Sequence, residues 1–178
     1  MKIQRLLSGI DVAPLNWALQ SNPQFWDQNR MRTESASSPH RDASDIYVRY
    51  AANPRAQGAH ESVWYPCADV LGVKPLVYDV MRFVEGDRLG GVLITRIPAG
   101  KEVFPHVDSG WHADTYRKFC VQVQSAPGQK FIVEDESLEP KPGDLYEFRN
   151  EYLHRVINPT PFDRVSMIVC IQTDKVFS

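Results

Sequence analysis

One short segment, residues 103–108 (VFPHVD), contains two side chains that could bind a metal ion together. His106 and Asp108 are two positions apart, and residues i and i+2 of an extended strand point to the same face. A stable site needs another ligand, and His154 is the best candidate. Two imidazoles and one carboxylate on one face of an ion are typical of non-haem Fe(II) sites, which leave the other coordination positions open for substrates.

A second pair of polar residues follows His154 and suits a carboxylate ligand. Arg164 and Ser166 lie in a strand-like run, where alternation places them on one face and apolar residues on the other. A guanidinium offers a planar fork to a carboxylate, and a hydroxyl adds a further donor. Arg117, at the start of an earlier predicted strand, is another candidate for the same ligand.

Each of these residues also has a purely structural interpretation. His106 and Asp108 could form a surface ion pair, which would contribute little to stability. His154 could be a hydrogen-bonded histidine of the core, and Arg164 could be exposed beside Asp163. The order of the histidines, the carboxylate and the arginine along one chain favours the metal site over these separate explanations.

The sequence of this region resembles a known family. The run at residues 93–106 (LITRIPAGKEVFPH) is similar to the iron-binding region of aspartyl/asparaginyl β-hydroxylase-like proteins, which are Fe(II)/2-oxoglutarate dioxygenases. The dipeptide Gly143-Asp144, then His154 and Arg164, follow that family's pattern in order and spacing. The resemblance covers residues 90–174, and the first ninety residues are much less specific.

One position departs from part of that family. Some of its members carry Gly where this chain has Asp108, whereas most other 2-oxoglutarate oxygenases have a carboxylate there. The carboxylate strengthens the prediction of an iron site, and it weakens the transfer of the exact substrate.

The resemblance implies a reaction and a set of roles. The implied cofactors are Fe(II), 2-oxoglutarate as co-substrate, and O2. The implied metal ligands are His106, Asp108 and His154. Arg164 and Ser166 would bind the far carboxylate of 2-oxoglutarate, and Thr95 stands where the family places a hydroxyl residue. The reaction would release succinate and CO2 and hydroxylate an Asp or Asn side chain, or a related amino-acid carbon, of a small molecule, peptide or protein.

Two alternatives belong to the same broad fold. The chain could be a cupin-like metal-binding protein without oxygenase chemistry, or a cupin enzyme that does not use 2-oxoglutarate. Neither needs a dicarboxylate clamp, so Arg164 and Ser166 favour the oxygenase. The sequence lacks a His-Glu-x-x-His zinc motif, a phosphate-binding loop and a Gly-x-Ser-x-Gly elbow.

Composition excludes several other classes of protein. The chain has 178 residues, of which 43% are hydrophobic, so it is long enough to bury a sizeable core. The net charge is −2 and the Lys and Arg residues are scattered, so the sequence has no basic cluster of the kind that binds nucleic acid. No apolar run is long enough to span a membrane. The three separated cysteines and the absence of a signal-peptide pattern predict a cytoplasmic protein with reduced thiols.

The second half of the chain predicts a β-fold. Short segments in which apolar and polar residues alternate are separated by turns rich in Pro and Gly. This pattern is typical of a β-sandwich or β-barrel. The expected strands are residues 92–97, 102–107, 117–124, 130–134, 144–149, 153–158 and 164–173. We therefore expect a double-stranded β-helix (jelly roll, cupin-like) over residues 91–174.

The first ninety residues predict a helical buttress for that core, within a single domain spanning residues 1–178. Predicted strands at 3–7 and 45–50 are joined by a helix that Asp11 caps, and the clearest helix begins at Pro75 and ends at Gly86. The predicted loops are residues 33–44 and 51–62.

Three further histidines lie in predicted loops. His40 and His60 have no partner pattern, so they are expected to be solvated. His112 lies close to His106 in sequence and is a candidate for substrate contact. We expect the substrate to meet the loop at 33–44 and the segment 109–116, because long loops in compact domains often bind ligands.

Overall fold

The computed structural model describes residues 1–53 and 58–177, so part of the predicted loop 51–62 lies outside the described residues. Eleven strands and four α-helices are present in these described ranges. The strands are β1 (Ile3–Leu7), β2 (Ser44–Ala51), β3 (Ser62–Trp64), β4 (Arg88–Ile97), β5 (Glu102–His106), β6 (Arg117–Gln124), β7 (Lys130–Val133), β8 (Glu136–Leu138), β9 (Leu145–Phe148), β10 (His154–Ile157) and β11 (Arg164–Gln172). The helices are α1 (Ala13–Ser21), α2 (Cys67–Val70), α3 (Lys74–Phe83) and α4 (Trp111–Thr115).

The strands form two antiparallel sheets. The larger sheet has the order β1-β9-β6-β11-β4-β2-β3, and the smaller one has the order β5-β10-β7-β8. Strands that are distant in sequence are neighbours in both sheets, as in a jelly roll. This arrangement confirms the predicted double-stranded β-helix, and all seven strands predicted in the second half of the chain are present within a few residues of their expected bounds.

Alternation along β11 separates two cores. Val165, Met167, Val169 and Ile171 face a cluster that the N-terminal helices cover. A second cluster, which includes Val103, Phe131 and Tyr146, lies between the two sheets. The opposite face of β11, which carries Arg164 and Ser166, therefore points into the space between the sheets.

The N-terminal helices form the predicted buttress on the outer face of the larger sheet. Leu15 and Leu19 of α1 and Val77 and Val80 of α3 are buried in the first cluster. Pro75 lies in the first turn of α3, where its fixed φ and missing N–H suit a helix start. The site side of the sheet is left free by this arrangement.

Several short elements were not expected from the sequence. Helices α2 and α4 have only 4 and 5 residues, and β8 has 3. Elements of this length lack enough residues to show a period in the hydrophobic pattern.

Two smaller findings concern the cysteines and membranes. Cys67, Cys120 and Cys170 are all buried and free. Among the described residues, no helix is both long and apolar enough to cross a membrane.

Candidate metal centre

The two histidines of the predicted site face each other across one strand pair. Strands β5 and β10 are antiparallel neighbours, and His154 is the register partner of His106. Asp108 follows the end of β5, where its backbone N–H donates to the carbonyl of Asn150 at 3.2 Å. This bond fixes the chain beyond the strand end and turns the carboxylate towards both imidazoles.

The three side chains converge as a metal site requires. Asp108 Oδ1 is 3.7 Å from Nε2 of His106, and Asp108 Oδ2 is 3.6 Å from Nε2 of His154. One ligand atom from each residue lies within 4.8 Å of the other two. Within the described ranges, no other group of three His, Cys, Asp or Glu side chains is arranged in this way.

Backbone carbonyls set the tautomer of both histidines. Nδ1 of His106 is 2.8 Å from the carbonyl of Phe104, and Nδ1 of His154 is 2.9 Å from the carbonyl of Tyr152. A carbonyl can only accept, so each Nδ1 carries the hydrogen and each Nε2 keeps its lone pair. Hydrogen bonds of this kind orient histidine ligands in known metal sites.

The environment also keeps the ligands in the protonation states that bind a metal. Burial lowers the pKa of His154 to about 4, and burial likewise lowers the pKa of His106. Burial alone would raise the pKa of Asp108, but the charge and hydrogen bond of Lys118 outweigh it, so that pKa is lowered. At neutral pH the site therefore offers two neutral imidazoles and a carboxylate.

Arg164 lies on the facing sheet and lines the same cavity. Its Nη1 donates to Ser166 Oγ at 2.8 Å, and its Nη2 donates to Gln122 Oε1 at 2.8 Å and to Tyr146 Oη at 2.9 Å. The amide of Gln122 is held in turn by the carbonyls of Gln124 and Val165. The guanidinium is thus fixed in one orientation.

Arg164 is charged, buried and incompletely satisfied. Only 2% of the residue is exposed, and its Nε has no hydrogen-bond partner. No carboxylate in the described part of the chain lies within ion-pairing distance of it. A buried guanidinium in this state is costly unless an anion completes it, so the geometry fits a carboxylate ligand in the cavity.

One cavity joins the metal triad to this guanidinium. It has about 480 Å³ of empty volume, part of it open to solvent, and apolar side chains such as Ile97, Val103 and Phe131 form much of its wall. The predicted site residues that line it are Thr95, His106, Asp108, His154, Arg164 and Ser166.

Thr95 lines the cavity, but its hydroxyl already has partners. It donates to Asp45 Oδ1 at 2.9 Å and accepts from Arg32 Nη2 at 2.6 Å. Arg32 also donates to both carboxylate oxygens of Asp45, at 2.6 and 2.8 Å. Thr95 therefore belongs to a buried ion-pair network at the edge of the cavity.

Arg117 is not brought to the cavity. Its position in β6 faces the opposite side of the sheet, where Nε donates to Glu147 Oε1 at 2.6 Å. Its Nη1 donates to the carbonyls of Thr173 and Lys175. These bonds hold the C-terminal segment against β6. Arg117 is therefore separated from the other predicted ligands.

His40 was expected to be solvated, and this expectation is wrong. The segment of residues 27–43, which includes most of the predicted loop 33–44, packs over the edge of β5. Phe104 N–H donates to the carbonyl of Pro39 at 2.9 Å, and the guanidinium of Arg41 stacks on the Phe104 ring. These contacts bring the His40 ring edge-on to His106, with centroids 4.6 Å apart.

A second cavity adjoins the first and is lined on one side by α4, with about 910 Å³ of empty volume, part of it open to solvent. Asp108, Lys118, His40 and Arg32 line both cavities. His112 of α4 lines the second cavity, and its contact with substrate stays a prediction. We regard this cavity as the approach to the metal triad.

His112 and His60 belong to an aromatic cluster at this second cavity. His112 Nε2 accepts the Gly91 N–H at 3.1 Å, and its ring stacks on His60 at 5.8 Å between centroids. His60 also contacts Tyr50 and Trp111, so the expectation that it is solvated is wrong as well. The sequence could not reveal these contacts, because the rings of the cluster come from positions that are far apart in the chain.

The sequence also missed Lys118, Tyr146 and Arg32. Lys118 and Tyr146 lie on the inward face of β6 and β9, and that face was predictable from alternation once the strands were aligned. Arg32 lies in an irregular segment, where no periodic signal exists. Its role follows only from the tertiary contact with Asp45.

Comparison with known proteins gives structural neighbours alone, since no family profile and no curated protein sequence matches the chain. A 2OG-Fe(II) oxygenase family protein from Burkholderia pseudomallei is similar over 96% of this chain and 84% of its own, at 14% identity and a TM-score of 0.66. A Trichoplax adhaerens prolyl hydroxylase, solved with a hypoxia inducible factor peptide fragment, covers 97% of this chain and 84% of its own, at 9% identity and a TM-score of 0.67.

A third neighbour is the viral collagen prolyl hydroxylase of Paramecium Bursaria Chlorella virus-1, solved with 2OG. It covers 97% of both chains at 9% identity, with a TM-score of 0.56. These likenesses show a shared fold. Two of the three neighbours are prolyl hydroxylases, so the closer resemblance to aspartyl/asparaginyl hydroxylases stays a prediction.

Proposed function

We propose that the chain is an Fe(II)- and 2-oxoglutarate-dependent dioxygenase. The observation that carries this proposal is one cavity that joins a His-Asp-His triad to a buried guanidinium without a carboxylate partner among the described residues. A metal-binding cupin has no need for the guanidinium, and a cavity for an organic acid alone has no need for the triad. The shared fold of the oxygenases supports the same conclusion.

His106, Asp108 and His154 would hold the ion through atoms that are already unprotonated and turned towards one another. When bound, Fe(II) would supply the activation of O2, with 2-oxoglutarate oxidised to succinate and CO2 as a substrate C–H is hydroxylated. Apolar walls limit the entry of water. The polypeptide therefore contributes position and a dry environment.

Arg164 and Ser166 would bind the far carboxylate of 2-oxoglutarate, with Tyr146 and Gln122 holding the guanidinium in place. The Nε–H of Arg164, which has no partner, and the charge of its guanidinium suit a contact with a carboxylate. Thr95 lines the wall of the same space. We leave Arg117 outside this site, because it pairs with Glu147 elsewhere.

The proposed substrate is an Asp or Asn side chain, or a related amino-acid carbon, free or within a peptide. This choice rests on the sequence resemblance of residues 93–106. A peptide is compatible with the second cavity, which is open and polar near the metal triad. We further propose that residues 1–178 form one domain and act in the cytoplasm, in line with the reduced cysteines.

The test measures metal and co-substrate separately. Mn(II), an inert substitute for Fe(II), is titrated first, and calorimetry then follows 2-oxoglutarate into the Mn(II)-loaded protein. Arg164→Ala should lower 2-oxoglutarate affinity by about thirtyfold to several thousandfold, since a buried charge pair loses one partner. Arg164→Lys should restore only part of it, because an ammonium lacks the planar fork.

Arg117→Ala is the matched control, as it removes a guanidinium from the same sheet outside the cavity. It should leave 2-oxoglutarate affinity unchanged. With Fe(II), air and 2-oxoglutarate, the wild-type protein should release succinate. If wild type bound the metal but no 2-oxoglutarate, or if Arg164→Ala bound it equally well, the oxygenase assignment would give way to a metal-binding cupin.

A further inference from the structure

Lys118 is a cation that lines both cavities, and the proposed chemistry does not account for it. It lies on the inward face of β6, and 17% of its side chain is exposed. Its Nζ donates to Asp108 Oδ2, and in the described ranges Asp108 is its only carboxylate partner. A lysine this far from solvent needs an anion close to its ammonium.

That anion is also the carboxylate of the metal triad. Both oxygens of Asp108 already face an imidazole Nε2, so a bound ion would compete with Lys118 for the same negative charge. The ammonium would then remain close to the ion, poorly solvated and without an anion of its own. Such a group recruits a negative charge from whatever enters the cavity.

The formal charges of the loaded site lead to the same result. The double positive charge of the ion is balanced by the two carboxylates of 2-oxoglutarate. The negative charge of Asp108 is balanced by the positive charge of Arg164. Arg32 is neutralised by Asp45. Lys118 is left over, and Arg49, which has no carboxylate partner in the described part of the chain, lines the second cavity beyond it. Among the described residues that line the second cavity, three cations, Arg32, Arg49 and Lys118, therefore stand against one carboxylate, Asp108.

His112 is a further polar residue of this cavity, and it carries an N–H donor. Its Nε2 accepts the Gly91 N–H, and burial lowers its pKa to about 4, so the ring is neutral and its hydrogen is on Nδ1. His112 and Lys118 line the same cavity. An ammonium and an N–H donor in one cavity suit a carboxylate.

We propose that Lys118 recognises a carboxylate of the substrate, so that the site selects an acidic side chain over its neutral amide. This inference rests on the proposed function and narrows its substrate class. It favours a free or peptidyl aspartate-like acid over an asparagine-like amide. Lys118 would act as a specificity-determining residue, because it touches the substrate and not the reacting co-substrate.

The probes are N-acetyl-L-aspartate α-methylamide, which has one side-chain carboxylate, and N-acetyl-L-asparagine α-methylamide, its neutral counterpart. Each is titrated against the protein loaded with Mn(II) and saturating 2-oxoglutarate. The readout is the Mn(II)-induced relaxation of the probe's methylene protons, which reports binding close to the ion. Wild type should bind the acid roughly ten- to a hundredfold more tightly than the amide, the scale of a hydrogen bond to a charged group.

The variant Lys118→Met should remove this preference, and Lys118→Arg should keep part of it. Lys130→Met, which removes an exposed lysine of β7, is the matched control and should behave as wild type. The Mn(II)-loaded Lys118→Met variant should keep its affinity for 2-oxoglutarate, and binding of Mn(II) and of 2-oxoglutarate is also measured on wild type. These two measurements separate the present inference from the proposed function, because failure of either ligand to bind wild type would reject the dioxygenase itself.

Three results would overturn the role of Lys118 while leaving the dioxygenase intact. The first is a wild-type protein that binds acid and amide equally, or neither. The second is a Lys118→Met variant that still prefers the acid. The third is a loss of 2-oxoglutarate affinity in Lys118→Met, which would make Lys118 a ligand of the co-substrate. The comparison of the two probes on wild type needs no variant, so it stands even if Lys118→Met does not fold.

Discussion

His106 and His154 are register partners across β5 and β10, with ring centroids 4.3 Å apart. The register of one antiparallel pair therefore sets the distance between two metal ligands that are far apart in sequence. Facing positions on such a pair are close enough for side chains to meet. Asp108 is added by the few residues beyond the strand end.

This arrangement predicts that each histidine is required for metal binding. His106→Ala or His154→Ala should abolish binding of one Mn(II) per chain, because one imidazole and one carboxylate cannot hold the ion. His60→Ala is the control, since His60 belongs to the aromatic cluster and should leave Mn(II) affinity unchanged. Calorimetry or Mn(II) electron paramagnetic resonance measures the outcome, and unchanged binding in a variant lacking both His106 and His154 would reject the site.

Asp108 should be a true ligand although some relatives lack a carboxylate there. Asp108→Ala should weaken Mn(II) binding at least about tenfold, the scale seen when metal sites are disturbed. It should also destabilise the metal-free protein, because Lys118 then has no carboxylate partner among the described residues. Urea denaturation without metal checks the second effect, and equal Mn(II) affinity in both proteins would mean that two histidines suffice.

Tyr146 should contribute to 2-oxoglutarate binding by holding Arg164. Tyr146→Phe removes the hydroxyl that accepts from Arg164 Nη2 at 2.9 Å, while Gln122 still accepts from the same nitrogen. A hydrogen bond to a charged group is worth about 1.5–3 kcal/mol, and because Gln122 still holds the same nitrogen, 2-oxoglutarate affinity should fall by about tenfold or less. Calorimetry on the Mn(II)-loaded protein gives the value, and a loss as large as that of Arg164→Ala would mean that Tyr146 itself binds the co-substrate.

How much of this site was predictable depends on whether a residue lies in a regular strand. His106, His154, Arg164 and Ser166 lie on strands whose alternation was visible, so the faces they share could be deduced. Asp108 followed from its spacing to His106. The strand order and register, which bring β5 to β10 and β11 to β6, depend on long-range pairing that a local pattern does not contain.

The missed residues have equally physical explanations. Arg117 and Lys118 are adjacent in β6, so they point to opposite sides of the sheet, and Lys118, which the sequence did not single out, is the one that lines the cavity. His40 and Arg32 reach the site through the 27–43 segment, which is held by contacts with residues distant in sequence, such as Pro39 with Phe104 and Arg32 with Asp45. In the sequence, the Gly90-Gly91 pair marks only the start of the region of short strands. The structure shows why glycine is suited here, because aromatic rings pack directly against both positions.

The close packing of His112 on Gly91 predicts that substitutions at these two positions have coupled effects on stability. A Cβ at this position would lie 3.1 Å from the Tyr50 ring and 3.2 Å from His112 Nε2, so the rings would have to move. The rings need to move by only a few tenths of an ångström, so Gly91→Ala should destabilise the protein by about 1 kcal/mol or less, the lower end of the cost of overpacked sites. Thermal or urea unfolding measures this. In a His112→Ala background the same substitution should cost less, and strictly additive effects would show that the two residues are independent.

The last prediction concerns the ion pair that holds the 27–43 segment over the metal triad. Arg32 donates to both oxygens of Asp45, whose side chain is 0% exposed, and to the hydroxyl of Thr95. Removal of one partner leaves a buried charge without its counter-ion. Asp45→Ala should therefore lower the free energy of unfolding by about 3–5 kcal/mol.

The double variant Arg32→Met with Asp45→Ala should recover a large part of that loss, because no unpaired charge remains in it. It should nevertheless bind 2-oxoglutarate less tightly than wild type, since the segment that carries His40 to the cavity is no longer fastened to β2. Urea denaturation of the single and double variants gives the coupling energy, and 2-oxoglutarate calorimetry on the double variant gives the functional effect. A double variant less stable than Asp45→Ala would show that Arg32 stabilises the segment through its packing and not through its charge.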